Sequence, residues 1–141
     1  MLTRLKVDGF KNLVGVDVRF GPFTCIAGAN GVGKSNLFDA IRFLSLTASL
    51  PLVTAAQQVR DEEGWGNDVR DLFHRSGKHQ SNRIRFEAEM IVPEQVEDDL
   101  GQMARAAARF LKYTLEIQLR VSPGRTTPQH PLEVVHEELV T

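Results

Sequence analysis

Gly28-Ala29-Asn30-Gly31-Val32-Gly33-Lys34-Ser35 constrains this chain more than any other stretch. It matches the phosphate-loop pattern of Gly, four residues, Gly, Lys and Ser or Thr at every position. The flanks agree with it. Phe23 to Ala27 is a short apolar run of buried-strand type, and Asn36 to Leu46 reads as a helix with Leu37, Ile41 and Leu44 on one face. Glycines in such a loop let the backbone approach a polyanion without a Cβ in the way. Consecutive backbone N–H groups then form a concave nest for phosphates. The helix that follows adds its unpaired N-terminal N–H groups and the positive end of its dipole. Lys34 is expected to reach the β- and γ-phosphate oxygens and Ser35 to ligate Mg²⁺. The competing interpretation, a glycine-rich turn that merely joins strand to helix, leaves the Lys-Ser pair in that register unexplained.

Length and charge set the limits around this site. A chain of 141 residues is expected to be one domain, large enough to bury a core. A formal net charge of −1 supplies no global field for DNA or an anionic membrane, so nucleic-acid contact has to come from a local patch. The single Cys25 excludes an internal disulfide and suits a reducing cytosol. Met1 to Lys6 carries no apolar signal-peptide region, and no apolar run approaches the length of a membrane span. The expectation is a soluble, cytoplasmic protein.

Before the loop, Leu2 to Val7 alternates imperfectly between apolar and polar and suggests a strand. Asp8-Gly9 marks a turn. Val14, Val16, Val18 and Phe20 alternate cleanly as a second strand, which Gly21-Pro22 breaks. Strands ahead of the phosphate-loop strand do not suit the simplest nucleotide kinases, which begin with that strand itself.

The residues Phe10-Lys11-Asn12-Leu13, then Val16 to Phe20, then Gly28 through Ser35 followed by Asn36-Leu37-Phe38-Asp39-Ala40-Ile41, resemble the start of ABC-type ATPase heads. The likeness is to the chromosome-maintenance and double-strand-repair group, with the related RecF-like and OLD-like ATPases, and it covers residues 2 to 46. The resemblance implies an α/β (α+β mixture) fold, a P-loop NTPase lobe with an antiparallel β-subdomain and inserted helices. It implies ATP and Mg²⁺ as ligands, with Asn30, Gly31, Val32, Gly33, Lys34, Ser35 and Asn36 at the nucleotide. Lys11 and Asn12 would lie near the nucleotide or near DNA; a solvated turn is the other interpretation of that pair.

The middle of the chain is less decipherable. Pro51 interrupts any helix continuing from Leu46, and Leu52 to Arg60 reads as a short helix ending before Asp61-Glu62-Glu63-Gly64. Trp65, between Gly64 and Gly66, either stacks on a base or fills a local apolar gap, the commoner use. Asp68 to Phe73 reads as one or two helical turns with Asp68 as N-cap and Gly77 as terminator. His74 to Arg85 holds Arg75, Lys78, Arg83 and Arg85 and no acid. That basic segment either meets DNA phosphates or is simply solvated. His74 and His79 have no Cys or acid spaced to complete a zinc site.

In the last third, Ile84, Phe86, Ala88 and Met90 alternate as a half-buried strand that Pro93 ends. Val96, Leu100, Met103, Ala107 and Phe110 step by four, three, four and three, which predicts an amphipathic helix over residues 94–112 with acids first and bases last. Leu115, Ile117, Leu119 and Val121 predict another strand, residues 122–131 a loop, and Leu132 to Val140 a third strand.

Hydrolysis in the resembled family needs a Walker B strand ending in Asp-Glu. The nearest run, Val134-Val135-His136-Glu137-Glu138, is interrupted by His136, no Leu-Ser-Gly-Gly-type signature occurs, and Gln118 sits inside a strand pattern. No catalytic residue is therefore assigned within this chain. The expectation is one incomplete head domain: residues 1–46 with the loop, 47–81 as an irregular insertion, and 82–141 as the β-subdomain. A C-terminal ATPase lobe is the expected partner, with head-to-head dimers in the complete protein, possible DNA contact and no membrane. Two other readings stay open. One is a nucleotide-binding or interaction module that never hydrolyses ATP. The other is a small-molecule kinase, weakened by the strands before the loop and the lack of an Arg-rich lid.

Overall fold

The computed structural model describes residues 1–60, 68–97, 100–120 and 131–141. In chain order the elements are β1 (Leu2–Asp8), β2 (Val16–Arg19), α1 (Lys34–Thr47), α2 (Leu52–Arg60) and a 3-10 turn, Val69–Leu72. Then follow β3 (Arg75–Ser76), β4 (His79–Gln80), β5 (Arg83–Ile91), β6 (Gln95–Glu97), β7 (Met103–Arg105), β8 (Phe110–Leu119) and β9 (Leu132–Val140).

Alternating side chains build one antiparallel sheet in the order β2-β1-β5-β8-β9. Register puts Leu5 opposite both Val18 and Ala88, and Phe86 opposite both Val7 and Leu115. One face of the sheet is therefore apolar, and Leu5, Val7, Ile84, Phe86, Ala88, Leu115 and Ile117 are buried there. Helix α1 turns Leu37, Ala40 and Phe43 into the same core. The rings of Phe10, Phe43 and Phe86 meet at centroid distances of 5.5–5.9 Å, tilted or edge-on, the arrangement their quadrupoles favour. Helix α2 adds Ala55, Ala56 and Val59, backed by Leu72 of the 3-10 turn.

The opposite face is a ladder of charges. Arg4 holds Asp17 at 2.6 Å and Glu89 at 3.3 Å; Glu87 receives Lys6, Arg85 and Lys112; Glu116 receives Arg83 and Arg85. Burial pushes the Glu87 carboxyl up, but hydrogen bonds from Lys112, Arg85 and Lys6 outweigh it and hold its pKa down at about 2. Two of the four basic residues in the 74–85 segment, Arg83 and Arg85, are thus consumed in the sheet's own ion pairs. Arg75 lies 4.0 Å from Asp71.

Three expectations are corrected here. The described residues of 94–112, namely 94–97 and 100–112, do not form an amphipathic helix; they carry the β6–β7 ribbon and the start of β8. The apolar stripe that suggested a helix has nothing to bury, since Val96, Leu100, Met103 and Phe110 are all exposed. The chain is instead carried outward from the β5–β8 pairing, where Ile91 opposes Phe110, and Gly101 at φ 77 turns it back. Second, Gly77 ends no helix. At φ 58 it sits in the turn of the β3–β4 hairpin, because Phe73 already leaves the 3-10 turn in extended conformation. Asp68 does cap that turn, accepting from the Arg70 N–H at 3.0 Å. Third, Phe23 to Ala27 makes no strand pairing, and Phe23 is 87% exposed. A buried strand needs a neighbour along its edge, and every described strand of the main sheet pairs elsewhere. Trp65, the 61–64 acidic run, Val121 and the 122–130 loop fall outside the described residues. Leu132 to Val140 forms a strand as expected, with its register shifted opposite Glu116 and Ile117.

Candidate phosphate-loop site

The loop runs from Gly28 to Gly33 and delivers the chain into α1 at Lys34. Gly33 occupies the cap position at φ 105 and ψ 13, a left-handed conformation that L side chains rarely adopt. A Cβ there would stand 2.7 Å from Asn12 Oδ1 and 3.2 Å from Leu13 Cδ2. Gly31 is also left-handed, at φ 84. No side chain caps α1 and no acid occupies its first turn, so its leading N–H groups and its dipole face the loop uncontested.

Lys34 Nζ donates to the carbonyl oxygens of Gly28 at 2.5 Å and Ala29 at 2.6 Å. An ammonium has three donors. Two are thus tied to the loop, and the third has no partner among the described residues. Lys34, Ser35, Asn36 and Asn12, with Asn30, Gly31 and Gly33, line a cavity of about 400 Å³. Six of the seven loop and helix residues expected at the nucleotide therefore share one cavity. Val32 lies outside it, 61% exposed. The donor set fits phosphate and Mg²⁺ together: a cradle open only to glycine at Gly33, one ammonium, a hydroxyl at Ser35, and no carboxylate among the lining residues.

The two earlier residues are placed differently from each other. Asn12 lines the cavity, donates from Nδ2 to the Gly31 carbonyl at 3.4 Å, and accepts from Asn36 Nδ2 at 2.7 Å. Lys11 turns away to Asp39 in the second turn of α1, with 2.7 Å between Nζ and Oδ2. Its backbone is left-handed at φ 51, held by its own N–H on the Leu72 carbonyl at 2.7 Å. The His74 ring nitrogen Nδ1 lies 2.8 Å from the Lys11 carbonyl oxygen, which gives that histidine a structural partner. The Asn12–Asn36 and Lys11–Asp39 links join residues 24 and 28 positions apart, and no spacing rule in the sequence announces them.

The nearest Walker B candidate lies elsewhere. Glu137 accepts the Tyr113 hydroxyl at 2.8 Å, and both line a separate, mostly apolar cavity of about 580 Å³ with Leu2, Leu44 and Met90. That cavity shares no residue with the phosphate loop. Burial, with the Glu137 carboxylate, pushes the Tyr113 phenol up to about 12. Gln118 is a β8 residue opposite Arg83 and Glu133. Among the described residues no group of three or more His, Cys, Asp or Glu is placed to hold a metal, and no helix is long and apolar enough to cross a membrane.

A glycine cradle capping a helix, set against one antiparallel sheet, defines the N-terminal lobe of an ABC-type P-loop ATPase. The AAA_23 family, an AAA domain, matches residues 4–127, and the chain belongs to it. It is 36% identical over 93 residues to the DNA replication and repair protein RecF of Porphyromonas gingivalis, covering 56% of this chain and 25% of that protein. Against the RecF of Magnetococcus marinus it is 39% identical over 80 residues, covering 52% of this chain and 21% of the other. The chain thus spans a quarter or less of these relatives. In three dimensions it is similar to a solved SMC ATPase chain, from work on ATP-driven dimerization and DNA-stimulated activation, with a TM-score of 0.54 at 20% identity. The match covers 83% of this chain and 63% of that one, and it establishes the fold alone.

Proposed function

We propose that this chain is the ATP-binding lobe of an ATPase acting in DNA repair or chromosome maintenance in the cytoplasm. A role in defence against foreign DNA belongs to the same reading. The observation that carries it is the Lys34 ammonium, held by two loop carbonyls at the mouth of a glycine cradle that opens onto the first turn of α1. Lys34 and the amides of Gly31 to Ser35 take the β- and γ-phosphates, Asn30 and Val32 flank them, and the Ser35 hydroxyl takes Mg²⁺. Mg²⁺, which the Ser35 hydroxyl would hold, would supply positive charge that offsets the phosphate charge.

Hydrolysis belongs to a second lobe. Positioning and electrostatics supply nearly all the catalysis in phosphoryl transfer, and Glu137 is engaged with Tyr113 rather than with the loop. That engagement also favours the second reading for this chain taken alone, a nucleotide-binding module without hydrolysis. The exposed Phe23 and Phe38 are apolar surface that a second lobe would cover. Head-to-head dimers and contact with DNA are then properties of the completed protein.

Titration calorimetry with Mg-ATP tests the reading. Saturable binding by the chain, lost in Lys34→Ala and weakened when Mg²⁺ is withdrawn, is the expected result. Equal binding by the chain and Lys34→Ala would overturn the phosphate assignment.

A further inference from the structure

We infer that Asn12 is a positioning residue that holds the phosphate loop in its anion-binding shape from the side, acting through Asn36 and Gly31. The inference rests on the nucleotide reading above. It differs from direct contact in that both polar atoms of the amide already bond to protein. The Gly31 carbonyl can only accept, so the Asn12 group facing it is the Nδ2 donor, and Oδ1 is left for the Asn36 Nδ2 donor at 2.7 Å. One side chain therefore joins the middle of the loop to the first turn of α1. It also fills the space that a Cβ on Gly33 would need.

Asn12 is itself fixed. The preceding residue, Lys11, adopts a left-handed backbone that is unfavourable outside glycine. That conformation persists because surrounding bonds over-determine it: Lys11 N–H on the Leu72 carbonyl, Leu13 N–H on the Phe10 carbonyl, Gly9 N–H on the Leu13 carbonyl, and Lys11 Nζ on Asp39. The Phe10–Leu13 turn thus reaches the loop as a preset part. A loop that must present several N–H groups to one phosphate gains from being held beforehand, since less ordering remains to be done on binding.

The test compares the chain with Asn12→Ala, Asn36→Ala, the double variant and Lys34→Ala. Two measurements are made: amide hydrogen exchange over residues 28–36 without nucleotide, and Mg-ATP affinity. Expected are faster exchange in that segment for Asn12→Ala at unchanged melting temperature, and an affinity loss of about tenfold, the scale of one or two neutral hydrogen bonds. Asn36→Ala should do the same, and the double variant should be little worse than either single one, because both act through one link. Additive losses, or weaker binding with unchanged exchange, would assign Asn12 a direct ligand contact and overturn the inference. Wild-type affinity in Asn12→Ala beside lost binding in Lys34→Ala would overturn it while leaving the nucleotide reading intact. If no form binds Mg-ATP, the nucleotide reading fails for the isolated chain, and exchange alone decides: unchanged protection over 28–36 in Asn12→Ala overturns the positioning role, and faster exchange supports it.

Discussion

The Lys11 ammonium lies 2.7 Å from the Asp39 carboxylate, with the two side chains only 10% and 19% exposed. This pair fastens the Phe10–Leu13 turn to α1 next to the phosphate loop. It also neutralises an acid in the second turn of a helix whose start is read as an anion site. Lys11→Met leaves the carboxylate half-buried without its ammonium, so a loss of about 1–3 kcal/mol is expected. Lys11→Gly loses the same pair but relieves left-handed strain of about 1 kcal/mol, so it should be the milder change. Urea unfolding of the two variants measures the difference, and a Lys11→Gly chain less stable than Lys11→Met would contradict the strain assignment.

Gly9 ends β1 at φ 80, and a Cβ built on it would stand 2.3 Å from the Arg83 carbonyl oxygen. Backbone stands against backbone here, so neither side can yield as a flexible side chain would. Gly9→Ala should destabilise the fold by about 3 kcal/mol, combining the unfavourable φ with the clash. The check is a lower urea midpoint at unchanged slope. A loss below about 1 kcal/mol would mean that β1 and β5 separate easily at this corner.

Tyr113 is the sole tyrosine, so its phenolate absorbance can be followed without overlap from another. Burial and Glu137 push its pKa up to about 12, above an ordinary value of 10. The neutral phenol is favoured by the folded state, and its contribution is complete below pH 10 and lost as pH rises from 10 towards 12. Spectrophotometric titration of the folded chain should place the midpoint near 12, and Tyr113→Phe should remove that step from the alkaline stability profile. A midpoint near 10 would show the phenol neither buried nor paired with Glu137.

Much of this was legible in the residues, for physical reasons that can be named. Period-two alternation marked β1, β5 and β8 because one face of each is buried. The phosphate-loop pattern brought six of its expected residues into one cavity because the turn needs glycine at fixed positions. The 94–112 stretch misled because a three-and-four apolar spacing carries no information on whether a surface exists to receive it; here the β5–β8 pairing takes the chain elsewhere. Phe23 to Ala27 is apolar enough for a buried strand, but an apolar run carries no information on whether a neighbouring strand exists to pair with it, and no described strand does. The roles of Lys11 and Asn12 emerge only in space, since their partners Asp39 and Asn36 come from across the loop.

The pairing of β1 with β5 has a consequence for the order of events during synthesis. Lys6 waits for Glu87, 81 residues later. At translation speeds of about 5–20 residues per second, that interval is on the order of ten seconds. Throughout it the β1–β2 hairpin carries Leu5 and Val7 with no partner on one edge, while β8 and β9 each pair with the main-sheet strand made just before them. β1 and β2 therefore wait longest for their neighbour, and the nascent chain is most open to wrong pairings while the free edge of that hairpin stands uncovered.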